Sequence, residues 1–141
     1  MQGTVTVDPG RRFLRFEFER GATVADWIEA RAVFIRLSEE TGIQRALVDV
    51  RKQPAAGSVM ELFEFGHDIP SGMVFAVLGD PHSRDHRFVE TVAVNRGKNV
   101  RLFFGSEEEA IEWSKRFRSI VGDGESEIVR IFGPDDFKPQ A

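Results

Sequence analysis

Three histidines and the acids beside them are the side chains here best suited to proton chemistry, because imidazole ordinarily titrates near neutral pH. His67, His82 and His86 lie close in sequence to Asp68, Asp80 and Asp85. His82 and His86 are four residues apart, a spacing that shares one helix face and matches a zinc pair. Between them stand Ser83, Arg84 and Asp85, so the metalloprotease general-base pattern is missing. Pro81, with Asp80 or Ser83 as N-cap, puts His82 at a helix start and leaves only His86 truly helical. Both are therefore expected as partly exposed helix-start side chains, and no metal is assigned. Asp80 with His82 or His86 would make an acid–base pair, but no nucleophile can be placed beside them, so no catalytic residue is assigned. The chain has no cysteine, which excludes disulfide frameworks, Cys-ligated zinc, iron–sulfur clusters and thiol nucleophiles. Its 13 glycines form neither GxGxxG nor a P-loop, so no nucleotide or other cofactor is assigned.

A second group is defined by position, since open α/β sheets bind ligands outside the carboxyl ends of their strands. Asp49, Arg51 and Lys52 follow one strand-like run, Asp80, His82 and Arg84 follow the next, and Gly105 and Ser106 follow the last. Caps and solvated charges are the simpler explanation of these residues. A third group is apolar: Met60, Phe63, Phe65 and Ile69 surround a short helix bordered by Pro54-Ala55-Ala56-Gly57 and Pro70-Ser71-Gly72, segments on which it could hinge. Core filling is the ordinary role for such side chains, whereas exposed Phe on this helix would mark a partner surface.

The elements that must position these residues follow from turns, caps and periodicity. Thr4 to Val7 and Phe13 to Arg20 read as a hairpin around Asp8-Pro9-Gly10. Leu14, Phe16 and Phe18 should face the core, and Phe13, Arg15 and Glu17 should be partly wet. Thr23 caps a first helix with Asp26 three residues on; Val24, Trp27, Ile28, Phe34, Ile35 and Leu37 give its apolar stripe, and Gly42 ends it. Ala46 to Val50 and Met73 to Leu78 are nearly continuously apolar, as suits central strands covered on both faces. Ser58-Val59-Met60-Glu61 is a capping box that opens a helix to about His67. Phe88, Val89, Val92 and Ala93 mark a third helix closed by Arg96-Gly97. Val100 to Phe104 is the last strand, and Ser106 with Glu107, Glu108 and Glu109 starts a helix made amphipathic by Ala110, Ile111, Trp113 and Phe117.

The order ββαβαβαβα predicts an α/β fold with a mixed, mostly parallel sheet of about five strands and four helices. Residues 1–120 are expected as one domain and 121–141 as an extension, in which Glu127 to Phe132 forms an extra strand or arm and the final residues fray. With 141 residues, 19 Lys and Arg, 23 Asp and Glu and a formal charge of −4, the chain has no basic cluster to displace phosphate counterions, so nucleic acid is excluded as a partner. No apolar run approaches the roughly 20 residues that span a bilayer, so no stable membrane insertion is expected. The first eight residues lack a basic and then apolar leader, and a cytoplasmic location is expected.

This order and several local sequences resemble the SpoIIAA-like family of small bacterial proteins, which shares its fold with STAS and CRAL-TRIO domains. The matching segments are Ala46-Leu47-Val48-Asp49-Val50-Arg51, Ser58 to Gly66, Arg87 to Gly97, Val100-Arg101-Leu102-Phe103 and Glu108 to Trp113. They span about residues 4–117. The resemblance implies a menu of functions without strong catalysis. In STAS anti-anti-sigma proteins a serine that starts the helix after the third strand is phosphorylated to switch partner binding, and by element order Ser58 is that position. Where the family has Asp-x-Ser, Arg51-Lys52-Gln53-Pro54-Ala55-Ala56-Gly57 here precedes Ser58. A phosphate there would be favoured by the helix N-terminus and by Arg51 and Lys52. The function expected first is a STAS-like regulatory module that binds a protein partner or itself through the helix starting at Ser58. The alternatives are a carrier of a lipid or small apolar ligand beneath the helix 58–67, and an enzyme using Asp80, His82 or His86.

Overall fold

A computed structural model of the chain describes residues 3–8, 10 and 13–116. Strand β1 (Gly3–Asp8) pairs antiparallel with β2 (Phe13–Phe18), from Gly3 opposite Phe18 to Asp8 opposite Phe13. Strands β3 (Arg45–Asp49), β4 (Val74–Leu78) and β5 (Asn99–Phe103) then add in parallel, giving the order β1-β2-β3-β4-β5. The helices are α1 (Val24–Thr41), α2 (Val59–His67), α3 (Arg84–Asn95) and α4 (Glu107–Lys115). The fold is therefore α/β, a mixed and mostly parallel sheet with helices in the order ββαβαβαβα. Pro9 of the expected hairpin turn, Phe117 and the whole extension 121–141 lie outside the described residues.

Each helix begins where its cap predicts. The Asp26 carboxylate accepts the Thr23 N–H at 2.8 Å, and Gly42, at φ 78°, donates its N–H to Ser38 O. Such a left-handed residue closes the helix at little cost only when it lacks Cβ. Ser83 and Ser106 accept the N–H groups of His86 and Glu109, at 3.1 and 3.2 Å.

The sheet separates two cores. Helices α1, α2 and α3 cover one face, where Trp27, Phe34, Leu62 and Val89 meet Phe16, Ala46 and Val100. Because strand order advances steadily from β2 to β5, right-handed crossovers place these three helices on the same side. Helix α4 returns over the other face and packs Ala110 and Ile111 against Phe13, Leu47, Ala76, Leu78 and Phe103. This corrects the expectation for Phe13, which is 3% exposed because α4 covers the face on which β2 was expected to be wet. In α1, Ile28 is 45% exposed, and the inward stripe runs through Trp27, Ala30 and Phe34, with Arg31 beside it.

Candidate functional site

A partly enclosed apolar cavity of about 90 Å³ lies between the sheet and the α1–α3 layer. Phe16, Val48, Phe75 and Val100 form its floor, and Trp27 and Phe34 of α1 form one wall. Phe34 is locked edge-on between Phe16 and Phe75, with centroids 5.9 and 5.0 Å away. Helix α2 supplies the roof: its Phe65 lies 5.4 Å from the Trp27 ring, and Ile69 follows just beyond the helix end. Gly66 sets the height of that roof, since a Cβ there would stand 3.1 Å from Val89 O and from the Val92 side chain on α3. Nine residues of α2 drawn close to α3 do not fill the space above β3 and β4. Val48, Phe75 and Val77 consequently remain only partly buried although helices cover their face, whereas Leu47, Ala76 and Leu78 on the opposite face are buried.

Three lining residues carry ionisable groups: Arg31, His86 and Glu90. The guanidinium carbon of Arg31 sits 5.3 Å from the Phe65 ring centroid. Its Nη1 is buried and has no hydrogen-bond partner among the described residues. An orphaned buried donor costs about 1–3 kcal/mol, and more when charged. Glu90 is satisfied, accepting the Leu102 N–H at 2.7 Å.

His86 is also satisfied. Its Nδ1 accepts the Asp80 N–H at 3.1 Å, which fixes the tautomer so that Nε2–H donates to Gln53 O at 2.8 Å. Burial pushes its pKa below the ordinary 6.5, against the opposing pull of the Gln53 carbonyl and the charges of Asp80 and Asp85. The ring is therefore a neutral structural link. At 3% exposure it corrects the expectation of a partly exposed side chain. His82 precedes the Ser83 cap and is exposed, so it shares no helix face with His86. Its N–H is taken by the Asp80 carboxylate at 2.8 Å, while Asp80 reaches His86 through its backbone N–H. Arg84 is exposed as the first residue of α3. Among the described residues no group of three or more His, Asp or Glu side chains could hold a metal ion.

Gln53, which sequence reasoning passed over, is fully buried and joins four segments. Its Oε1 accepts the Trp27 indole N–H at 2.7 Å, its Nε2 donates to Ala22 O at 2.6 Å, and its carbonyl accepts from His86. The Ser83 hydroxyl donates to Pro54 O, and the Asp85 carboxylate accepts the Ala56 N–H at 2.8 Å. The segment expected as the first hinge of α2 is thus tied to the start of α3. At the other border, Gly72 has φ 81° and Lys98 Nζ donates to the exposed Ser71 hydroxyl at 3.0 Å.

The other strand-end residues lie apart from the cavity. Asp49 is buried on the α4 face, where Arg51 grips both its oxygens at 3.0 and 2.7 Å and Arg15 stands 3.7 Å away. Burial opposes ionisation of Asp49, but the Arg51 hydrogen bonds and the two positive charges outweigh it and hold the carboxyl below its usual 3.8. Arg15 extends this network to Glu107 of α4, and Lys52 is exposed. On α2, the Ser58 hydroxyl accepts the Glu61 N–H at 3.2 Å while Glu61 accepts the Ser58 N–H at 2.8 Å. Val59, Met60 and Phe63 are exposed, at 71%, 64% and 38%. His67 pairs with Asp68 at 3.0 Å at the exposed end of the helix. Among the described residues no helix is long and apolar enough to cross a membrane.

No family model matches the chain, and no curated protein or solved structure matches it.

Proposed function

We propose that this is a non-catalytic binding domain of SpoIIAA-like, STAS type that holds a small apolar ligand, or the apolar end of a larger one, beneath α2. The observation that carries the reading is the partly enclosed cavity roofed by a short helix and lined by Phe16, Trp27, Phe34, Phe65 and Phe75. Being only partly enclosed, the chamber suits a short alkyl segment whose end projects from it, and an apolar chamber of this kind offers water few hydrogen bonds. Each methylene transferred from water contributes about 0.8 kcal/mol, so affinity would grow with chain length until the cavity is full. Native mass spectrometry of freshly purified protein should show a co-purifying mass released on unfolding. A uniformly bare chain that also takes up no added short-chain alcohol would contradict the reading.

Association through α2 is the second reading, and the exposure of Val59, Met60 and Phe63 favours it. Ser58 begins the same helix with its hydroxyl engaged in the cap, so a phosphate there would replace a local hydrogen bond with charge at the edge of this surface. Acid–base catalysis by Asp80 and His86 draws no support from a ring whose two nitrogens are both bound to backbone.

A further inference from the structure

We infer that the ligand carries one anionic head group, a carboxylate in the simplest case, which pairs with Arg31 while its alkyl chain occupies the cavity. The inference rests on the binding reading above and adds the chemical class of the ligand. Among the ionisable groups lining the cavity, the Glu90 carboxylate has its donor in Leu102 N–H and His86 has partners on both ring nitrogens. Arg31 differs, because its buried Nη1 has no acceptor among the described residues. What the cavity lacks is therefore an acceptor, and beside a permanently charged guanidinium an anion is the acceptor that gains most.

The surroundings give the ligand a direction. Phe65 lies beneath the guanidinium carbon at 5.3 Å and limits how far the group can swing. The Asp68 carboxyl is held below its usual range by its His67 hydrogen bond and, more weakly, by nearby charges that include Arg31, but that carboxylate is exposed and already bound to the His67 ring at 3.0 Å. Glu90, on the α3 side, repels an acid head and so favours its placement toward α1, with the chain running among Phe75, Val77 and Val100. Because Phe65 belongs to the roof, a head group on Arg31 would also hold α2 down.

The test compares hexanoate with 1-hexanol, which share a chain length and differ in the head, by calorimetric or NMR titration of the full chain near pH 7, where the carboxylate is ionised. Hexanoate should bind on the order of tenfold more tightly. Arg31→Met, which keeps an apolar stem, should remove the preference, and Arg31→Lys should keep part of it. Equal affinity of the native chain for the two probes would overturn the head-group inference and leave cavity binding standing. Binding of neither would overturn both. The comparison on the native chain needs no variant to fold.

Discussion

At His86 the environment works against the proton. Burial lowers its folded pKa below 6.5, so on acidification the unfolded chain takes up a proton before the folded one does. Stability from the neutral ring is therefore complete above about pH 6.5 and falls as pH drops through the lower folded value. Urea midpoints of the native chain should decline over that interval, and His86→Gln should flatten the decline because the group that titrates is gone. An equal slope in both proteins would assign the pH dependence elsewhere. The sequence displayed His82 and His86 as an equivalent pair, four residues apart. What separates them is Gln53, whose carbonyl draws His86 inward from a loop rich in charge and proline. A buried Gln in such a loop leaves no periodic signal, so neither its role nor the depth of His86 was readable. Arg31 was nearer to legible: it follows Trp27 by four residues, on the face that the apolar stripe occupies, yet reads as a surface residue by type.

Among the elements, α2 joins local coding to tertiary placement. Its start was legible because Ser58-x-x-Glu61 is a local device, and both halves of the box form. Its seating was not, because Gly66 reads in sequence only as a weak helix former, whereas in the fold it lets α2 approach Val89 and Val92. Gly66→Leu should cost about 1–3 kcal/mol by overpacking this crossing. Hydrogen exchange should quicken across α2, while β3 and β4 stay protected as the centre of the sheet. Uniform quickening through the sheet would show instead that α2 is integral to the global fold.

On the scale of the whole molecule, element order and fold class were legible, since apolar runs, caps and turns repeat in a pattern that admits few topologies. The cavity was not. Val48 and Val77 look like ordinary buried-strand residues, and only the mismatch between a nine-residue roof and the sheet below it leaves them facing open space. The same arrangement divides the described residues into an α4 side with its own buried cluster, braced by Asp49, Arg51, Arg15 and Glu107, and a side that holds the apolar cavity. The proposed ligand binding would follow from this difference between the two faces.

The most direct measurement is a methyl NMR titration of the full chain with 1-hexanol, reading Val48, Val77, Val100 and Leu102 in the cavity against Val59 and Met60 on the outer face of α2. Saturable shifts at the four cavity residues, with the two outer ones unmoved, are the predicted result. Shifts confined to Val59 and Met60, or none, would contradict an occupied interior and leave α2 as an association surface.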